Sequence, residues 1–464
     1  MMSRIYDVAV VGAGPGGYVA ALRAAQLGLC TLLVEREELG GICLNWGCIP
    51  TKALLKGADV LQSCRDAARF GIQVGNIQVD IQGLVAHSRK VSETLVGGIA
   101  YLLKKHDVEV VCGEARLTGK GKLSVSMADG DQMFTARHII LATGARPRGL
   151  PGFPVDHPGI WTYREALRPS ALPASLLIAG AGAIGCEFAS LYNDLGVEVT
   201  LVEQAPRLLP QEDDEVSAHM QRVFAARGIT VHTGASLSWK GEDDQVVCQL
   251  NQAGQTRSLK AERMLLATGV QPNSEGLGLE AIGVQQERGF IITDQWCRTN
   301  VAGLYAIGDL AGGPCLAHKA SHEALLCVDH LAGVEGTAPL DPLLVPSCTY
   351  ARPQVASVGL TEQAARDAGY PVRIGRFSLQ ANGKALAAGE AEGFAKTVWD
   401  ADTGELLGAH LVGHEAPEQI HVLGLARQLE AGSEELAQMI FAHPTLSEAI
   451  HESVLDGLGR SLHQ

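Results

Sequence analysis

Two cysteines that stand five residues apart are the residues whose type and spacing most directly suggest chemistry. They lie in the segment Gly40-Gly-Ile-Cys43-Leu-Asn-Trp-Gly-Cys48-Ile-Pro-Thr-Lys52. The pair could be two independent thiols, half of a metal site or a redox-active dithiol. A metal site needs further Cys or His residues at ligand spacing, and the neighbouring sequence has none. A dithiol at a helix start fits better, because a helix N-terminus lowers the pKa of a thiol and makes the thiolate available.

A histidine near the end of the chain is the candidate general base. In Phe441-Ala-His443-Pro444-Thr-Leu-Ser-Glu448 a carboxylate follows the imidazole by five residues, and a proline stiffens the backbone beside it. A single histidine is more often structural, but one that a glutamate orients can exchange protons near neutral pH. We interpret the other histidines, for instance His318 and His322, as structural.

Two glycine-rich loops predict two dinucleotide sites. Each loop follows an apolar strand, opens a helix, and precedes a glutamate that stands 23 residues after the first glycine and ends the next strand. The first glycine allows a tight turn, the second lets a pyrophosphate approach the backbone, and the third lets the helix pack closely. The glutamate accepts hydrogen bonds from a ribose. The predicted residues are Gly12, Gly14, Gly17 and Glu35 in the first copy, and Gly180, Gly182, Gly185 and Glu203 in the second.

The two copies differ in length and in the cofactor that each suits. Each copy ends on an Ala-Thr-Gly turn, and Gly269 in the second turn is a further candidate cofactor residue. The first copy is longer by about 43 residues, which we place after Glu35, where the cysteine segment and a helix over about residues 52–70 lie. Glu203 favours NAD over NADP, because its carboxylate repels a 2′-phosphate and the first cation after it is Arg207.

Composition limits the class of protein. The chain has 464 residues, 46% of them hydrophobic, which is enough to build a large core without disulfides or a structural metal and which excludes general disorder. The net charge is −14 and there is no run of basic residues, which argues against nucleic acid as a partner.

Localisation follows from the same pattern. No apolar run reaches the roughly 18 residues of a membrane helix, and no signal-peptide pattern precedes the first strand, so we expect a cytoplasmic protein without membrane contact. The cysteines outside the pair are scattered along the sequence, and we interpret them as small buried side chains. They are Cys30, Cys64, Cys112, Cys186, Cys248, Cys297, Cys315, Cys327 and Cys348.

The cysteine segment and both glycine loops resemble the flavin-dependent pyridine nucleotide-disulfide oxidoreductases, and the resemblance extends over essentially the whole chain. It implies an α/β fold with two Rossmann-like domains, one for FAD and one for NAD, and a C-terminal α+β dimerisation domain. The implied division is 1–147 for FAD binding with the redox segment inserted, 148–270 for NAD binding, 271–340 to complete the FAD site, and 341–464 for the dimer interface.

The resemblance also assigns roles to residues that the sequence alone leaves unremarkable. The segment Ala302-Gly-Leu-Tyr-Ala-Ile-Gly-Asp309 is similar to the family's second flavin motif, so Asp309 is expected at the ribityl and phosphate region and Ala317 along the flavin. Ala115 matches a backbone position near the adenosine. Lys52 and Glu187 match an ion pair beside the flavin N5. Without the resemblance, both would be interpreted as ordinary surface residues.

The redox segment is most similar to the branch of the family that oxidises dihydrolipoyl groups on a partner protein and reduces NAD⁺. The partner would be the lipoylated acyltransferase or lipoyl carrier of a 2-oxo acid dehydrogenase or glycine cleavage complex. The resemblance implies that Cys43 exchanges with substrate, that Cys48 faces the flavin, and that His443 with Glu448 completes the site across a homodimer interface.

Three other functions are less consistent with these residues. A glutathione or mercuric reductase that uses NADPH conflicts with Glu203, and a mercuric reductase would need a C-terminal thiol pair, whereas no cysteine follows Cys348. A transhydrogenase of the same fold lacks the redox pair. An inactive scaffold subunit predicts degraded site residues, whereas each motif position carries a competent side chain.

Overall fold

The computed structural model describes residues 4–154, 156–241 and 245–463. These residues divide into two structural units, each built from three segments of the chain. The first unit contains the described residues up to Leu54 together with Gln82–Arg148 and Val270–Leu340; the second contains Leu55–Ile81, Gly149–Gly269 and the chain from Asp341 onward. Both units are mixed α/β, as the sequence predicts, whereas the finer division into four domains stays a prediction.

The first unit is built around a seven-stranded sheet whose central strand is Ile5–Val11. Alternate residues of this strand face opposite cores, with Val8 and Val10 on one side and Ala9 and Val11 on the other. Both faces are covered, which explains its nearly continuous apolar sequence. The order across the sheet is Glu109–Cys112, Thr31–Glu35, Ile5–Val11, Gly130–Leu141, Lys122–Met127 and Glu114–Gly119, and Leu304–Ala306 also pairs with Gly130–Leu141.

The extra residues of the first glycine-loop copy lie where the sequence places them, between the strand that ends at Glu35 and the strand that begins at Glu109. The predicted helix in this region begins earlier than expected, at Cys48 rather than Lys52, and is α-helical only to Asp66. The helical segments of the first unit are Pro15–Gln26, Gly41–Trp46, the start of Cys48–Asp66, Ile81–Lys105, Glu280–Ile282, Gly308–Ala311 and Ala317–Ala332. The remainder of Cys48–Asp66 and the short helix Ala67–Phe70 belong to the second unit. Two short ribbons pair Ala145–Pro147 with Val270–Pro272 and Gln286–Glu287 with Phe290–Ile291.

The second unit contains the second glycine-loop copy and the C-terminal sheet. Its parallel sheet runs in the order Thr230–His232, Glu198–Val202, Ser175–Ala179, Arg263–Leu266 and Ile160–Trp161. An antiparallel sheet of Ala235–Trp239, Val246–Gln252 and Gln255–Ala261 follows it. The helices of this part are Tyr163–Ala166, Ala183–Asp194 and Asp214–Ala226.

The C-terminal sheet is antiparallel. Alternating residue patterns in the sequence predict strands over 394–399 and 406–412, and the structure has strands at Phe394–Asp400 and Leu406–Val412. Its order is Ser347–Thr349, Val355–Gly359, Leu406–Val412, Phe394–Asp400 and Val372–Ser378. Helical segments around it are Pro342–Leu344, Glu362–Asp367, Leu379–Ala381, Gly383–Ala388, Ala416–Gln428, Ser433–Gln438 and Glu448–Gly457. Within the described ranges, every helix is too short or too polar to cross a membrane.

A buried lysine joins two parts of the second unit. Lys396, on the strand Phe394–Asp400, is 1% exposed and lies 2.9 Å from Asp213, 2.7 Å from Glu215 and 2.8 Å from Glu362. Burial works against ionisation of Asp213 and Glu362, but the cations that face them more than compensate; a hydrogen bond from Arg376 is the largest influence on Glu215. The pKa of all three carboxyls therefore lies below its usual range.

Substitution Lys396→Met should lower the free energy of unfolding by about 3–5 kcal/mol, because it leaves the buried carboxylate of Asp213 without its ammonium partner. In the unsubstituted protein, carboxyls with lowered pKa values stabilise the fold above roughly pH 4–5, and this stabilisation is lost as pH falls through their folded-state values. Urea denaturation followed by circular dichroism between pH 7 and pH 3 measures both effects.

The matched control is Arg460→Met, which removes a cation that is 54% exposed and pairs with the exposed Glu434. Its loss of stability should be much smaller than that of Lys396→Met, because solvent screens an exposed ion pair. Equal losses for the two variants at pH 7 would contradict a special role for the buried lysine.

Candidate active site

The two glycine loops have the same backbone geometry. Gly12 and Gly180 have φ of +97° and +100°, a region that favours glycine, and each donates its N–H at 2.8 Å to the end of the neighbouring strand, at Val34 and Val202 respectively. The loop in each copy then opens the helix that packs on the sheet, Pro15–Gln26 or Ala183–Asp194. The repeat read from the sequence is therefore a repeat of conformation.

The second and third glycines of each loop are needed for different reasons. A Cβ atom on Gly17 would lie 1.8 Å from the carbonyl oxygen of Gly12, and one on Gly185 would lie 1.9 Å from that of Gly180. The third glycine is thus required by the fold itself. A Cβ on Gly14 or Gly182, by contrast, would meet no atom of the described residues within 4 Å. The second glycine leaves open space at the helix N-terminus, which suits the approach of a pyrophosphate.

The two glutamates have a role that sequence reasoning did not foresee. Glu35 accepts the backbone N–H of Ala13 at 2.6 Å and that of Glu37 at 2.8 Å. Glu203 accepts the corresponding N–H groups of Ala181 at 2.6 Å and Ala205 at 2.7 Å. Each carboxylate therefore holds the first turn of its own glycine loop, and each oxygen keeps a further lone pair for a ribose hydroxyl.

An open cleft of about 650 Å³ lies beside Glu35 in the first unit. Its lining includes Arg36, Glu37, Cys112, Gly113 and Glu114. The Gly113 N–H is held by the Glu35 carbonyl at 2.9 Å, and the next strand carries the predicted residue Ala115, which is buried. The free space at Gly14 and this cleft meet the steric needs of a dinucleotide, so the residues present fit FAD.

The two candidate cysteines come together because the chain breaks between them. Cys43 lies in the helix Gly41–Trp46 and Cys48 begins the helix Cys48–Asp66. In one straight helix, residues five apart would point about 140° away from each other. At Gly47 the backbone leaves helical geometry, with φ −146° and ψ −113°, and the Cys43 and Cys48 thiols are hydrogen-bonded to one another.

The groups around Cys43 influence the ionisation of its thiol. The hydrogen bond to Cys48, followed by burial, raises the pKa of Cys43, and nearby Asp309 adds to the rise while Lys52 opposes it. Lys52 lies in the first turn of the helix that Cys48 begins. The structure therefore brings Cys43, Cys48, Lys52 and Asp309 into one neighbourhood of the first unit.

The backbone around the cysteines is held by contacts that the sequence does not reveal. Asn45 donates to the carbonyls of Leu39 at 2.9 Å and Gly41 at 3.0 Å, and Arg89 donates to the Asn45 carbonyl. The Arg89 guanidinium also lies 4.9 Å above the Trp46 ring. The helix Ile81–Lys105 thus fixes the segment between the two thiols.

The turn that carries Asp309 is clamped by an ion pair that sequence analysis missed. Lys319 lies 2.8 Å from Glu323, and both are largely buried on the helix that begins at Ala317. Glu323 accepts the Gly308 N–H at 2.8 Å, and Lys319 donates to the Gly312 carbonyl at 2.8 Å. Their spacing of four residues, characteristic of facing positions on a helix, was the available signal. Burial raises the pKa of Asp309, Lys319 opposes the rise, and Glu323 adds to it.

Glu187 lies in the second unit, on the helix Ala183–Asp194. Its side chain is 5% exposed, and Oε1 accepts the backbone N–H of Tyr350 at 2.9 Å. A glutamate at an ordinary surface position would not be buried in this way. The ion pair with Lys52 that the resemblance implies stays a prediction.

His443 and Glu448 are arranged as an oriented base requires. The Nδ1 atom of His443 lies 2.9 Å from Oε1 of Glu448, whose other oxygen accepts the Thr445 N–H at 2.8 Å. Burial alone would raise the pKa of Glu448, but the Thr445 hydrogen bond and the imidazole bring it below its usual value. The His443 side chain is 78% exposed, so Nε2 is available to a group outside this unit.

Family comparisons cover most of the chain. Residues 6–324 match the family described as pyridine nucleotide-disulphide oxidoreductase, and residues 345–454 match the dimerisation domain of that family. The chain belongs to the pyridine nucleotide-disulphide oxidoreductases. As a member of this family it is an oxidoreductase that uses FAD and NAD, which confirms the two cofactors that the resemblance implies.

Individual oxidoreductases of this family match from end to end. The chain is 50% identical over 465 residues to the dihydrolipoyl dehydrogenase of Zymomonas mobilis and 49% identical over 480 residues to that of Rhizobium etli, with 100% of each chain covered. The solved structure of LpdA from Mycobacterium tuberculosis aligns with a TM-score of 0.89 at 28% identity, over 96% of this chain and 98% of that chain. RclA of Escherichia coli, described as an HOCl-induced flavoprotein disulfide reductase, aligns with a TM-score of 0.86 at 26% identity, over 97% of this chain and 99% of that chain.

The contrast between the second and third glycines makes a testable distinction. Gly182→Ala should leave folding and FAD content unchanged, because the added methyl meets open space, and should raise the KM for NAD⁺ at least about 10-fold by obstructing the pyrophosphate. Steady-state kinetics and the flavin absorbance of the purified protein measure the two effects.

Two further variants serve as controls. Gly185→Ala should reduce the yield of folded protein, because the methyl collides with the Gly180 carbonyl, whereas Gly424→Ala, on an open helical surface, should change neither property. An unchanged KM for NAD⁺ in Gly182→Ala would contradict the placement of the pyrophosphate at this loop.

Proposed function

We propose that this oxidoreductase is a dihydrolipoyl dehydrogenase, which oxidises protein-bound dihydrolipoyl groups to the lipoyl disulfide and reduces NAD⁺ to NADH. The observation that carries the proposal is the pair of hydrogen-bonded thiols across Gly47, within reach of Lys52 and Asp309 in the unit that carries the first dinucleotide loop. Full-length relatives of that name support the choice of substrate.

The preference for NAD over NADP is supported by the contacts of the second loop. Glu203 keeps its carboxylate at the position where a 2′-phosphate would lie. Arg207, the first cation after it, pairs with Asp214 and donates to the Pro210 carbonyl at 3.1 Å. The cation that could neutralise a 2′-phosphate is therefore already engaged.

The proposed reaction begins at Cys43, in the oxidised enzyme joined to Cys48. A dihydrolipoyl thiolate attacks Cys43, the Cys43–Cys48 bond breaks, and Cys48 leaves as a thiolate. The second dihydrolipoyl thiol then attacks the substrate sulfur of the mixed disulfide, which closes the lipoyl ring and returns Cys43 as a thiol. Lys52, near the pair, is suited to stabilise the negative charge on Cys48.

His443 is the proposed base for the substrate thiol. The Glu448 carboxylate holds Nδ1, which leaves Nε2 free to take the thiol proton. Because the His443 side chain is largely exposed, it could act on a substrate bound to a second protomer. The match of residues 345–454 to a dimerisation domain supports a homodimer. A base supplied across the interface makes the dimer the active species.

Bound at the first loop, FAD would supply the redox chemistry that links Cys48 to NAD⁺, by uptake of an electron pair and its release as hydride. We propose Gly12, Gly14, Gly17, Glu35 and Ala115 for its nucleotide end, and Asp309 and Ala317 for its ribityl and ring region. NAD⁺ would be held by Gly180, Gly182, Gly185, Glu203 and Gly269, with Glu187 and Lys52 at the site of hydride transfer. The lipoylated partner complex and the cytoplasmic location stay predictions.

Substitution Cys48→Ser should abolish turnover of dihydrolipoamide with NAD⁺ while FAD stays bound, because the electron path loses its second sulfur. Anaerobic addition of dihydrolipoamide to the unsubstituted enzyme should produce a long-wavelength thiolate–flavin absorbance, and later addition of NAD⁺ should produce NADH. The same titration on the variant should show neither. Cys64→Ser, at a half-buried position outside the pair, is the matched control and should keep full activity. Turnover in Cys48→Ser would refute the assignment.

Substitution His443→Gln should lower the rate of dihydrolipoamide oxidation about 10²–10⁴-fold, which is the usual contribution of a general base. Hydride exchange between NADH and the bound flavin should be nearly unchanged, because it needs no substrate thiol. Stopped-flow measurement of the two half-reactions separates these effects. Equal loss in both half-reactions would indicate a structural role for the histidine.

A further inference from the structure

A second pair of adjacent sulfurs lies in the first unit. Sγ of Cys297 lies 3.9 Å from the carbonyl oxygen of Glu323, one helical turn before Cys327, and the Cys297 thiol is close enough to Cys327 to raise the pKa of that thiol. Cys327 is fully buried and Cys297 is 5% exposed. Both residues are buried, as the sequence interpretation expects of small apolar side chains. Their proximity is not visible in the sequence, because they lie thirty residues apart.

The backbone conformation at Cys297 is unfavourable for a residue with a side chain, which indicates that the contact of its thiol with the neighbouring helix offsets this cost. Cys297 has φ of +62°, a left-handed conformation in which a side chain costs free energy and glycine is favoured. Its N–H is held by the Asp294 carbonyl at 3.0 Å, and its own carbonyl accepts the Ala306 N–H at 3.0 Å. The turn is thus fixed on both sides and directs the thiol at the helix Ala317–Ala332.

A neighbouring contact keeps the two sulfurs in register. The rings of Trp296 and His330 are stacked, with centroids 4.2 Å apart and an angle of 12° between their planes. Trp296 precedes Cys297, and His330 follows Cys327 by three residues, about one turn of the same helix. The turn is therefore held against the helix independently of the thiols.

We propose that Cys297 and Cys327 are an oxidation-sensitive pair, which a peroxide converts into a second disulfide. Cys297 attacks the peroxide, forms a sulfenic acid and releases one water molecule. Cys327 then attacks that sulfur, forms the S–S bond and releases a second water molecule. Two thiols lose two electrons and two protons, and hydrogen peroxide is reduced to two molecules of water.

The order of attack follows from access. Cys297 alone has exposed surface, whereas the hydrogen bond to Cys297 and complete burial raise the pKa of Cys327 well above its usual value. Cys327 therefore acts as the resolving thiol, and the reaction is slower than oxidation of the less buried Cys43 and Cys48.

The disulfide has a structural consequence for the first unit. It would join the Cys297 turn to the helix Ala317–Ala332. On this helix Glu323, four residues before Cys327, accepts the backbone N–H of Gly308. That helix then has less freedom to move away from the turn that carries Asp309. Because Asp309 is a proposed FAD contact, the oxidised protein should release FAD more slowly; this second step rests on the proposed function, whereas the disulfide does not.

The test uses the purified FAD-bound protein in its air-oxidised form. Exposed thiols are first blocked with N-ethylmaleimide, and hydrogen peroxide is then added without denaturant. After quenching, the protein is denatured, alkylated with an isotopically heavy reagent and digested for mass spectrometry. The expected product is one peptide pair linked through Cys297 and Cys327, which dithiothreitol separates. Complete recovery of both cysteines as alkylated thiols or as independent sulfonic acids would overturn the proposal.

Three variants sharpen the result. Cys297→Ser should leave Cys327 as an alkylatable thiol, and Cys43→Ser should still form the link, because no exchange with that pair is required. Cys248→Ser removes a buried thiol that contacts the Met264 sulfur and should not alter the link. FAD release in guanidinium should slow several-fold after oxidation of the unsubstituted protein but not of Cys297→Ser; equal rates would overturn the structural consequence alone.

Discussion

The architecture depends on two places where a helix must lie directly against the turn that precedes it. At Gly17 and Gly185 even a methyl group would overlap a carbonyl oxygen of the same loop, so the crossover from strand to helix closes only with glycine. This close approach leaves the open positions at Gly14 and Gly182 facing the helix N-terminus. A steric constraint of the fold thereby creates the space into which a dinucleotide phosphate fits.

A second constraint builds the thiol centre. Five residues of continuous helix would have separated the sulfurs of Cys43 and Cys48, and the break at Gly47 brings them together. The contacts of Asn45 and Arg89 then hold that break in place. The reactive pair is therefore a property of an interrupted helix, supported from the neighbouring helix Ile81–Lys105, rather than of the two cysteines alone.

Buried charge is used in both units, with different effects. Around Lys396, three carboxylates share one ammonium, and the charges mainly join the helix that begins at Asp214 to the C-terminal sheet. Around Asp309, the Lys319–Glu323 pair holds both ends of a short turn through backbone groups. The first network ties elements together, whereas the second fixes the conformation of a segment expected at a cofactor.

Much of this could be predicted from spacing along the chain. The repeated strand, loop and helix, the extra residues after Glu35 and the strands around residues 394–412 all depend on local periodicity, which the sequence displays directly. The prediction was less accurate for the start of the cysteine helix, because the break at Gly47 permits a new helix at Cys48 itself. It missed the Lys319–Glu323 clamp, whose partners are backbone groups of a turn that the sequence does not identify.

The sequence by itself determined the family and predicted the two dinucleotide loops and the redox thiols, because each is encoded by residues close together in the chain. Only the tertiary structure decided which distant groups meet. The Tyr350 N–H on Glu187, the carboxylates around Lys396 and the contact of Cys297 with Cys327 join residues up to 183 positions apart. Such contacts depend on how strands and helices pack, and no local pattern of residue types records them.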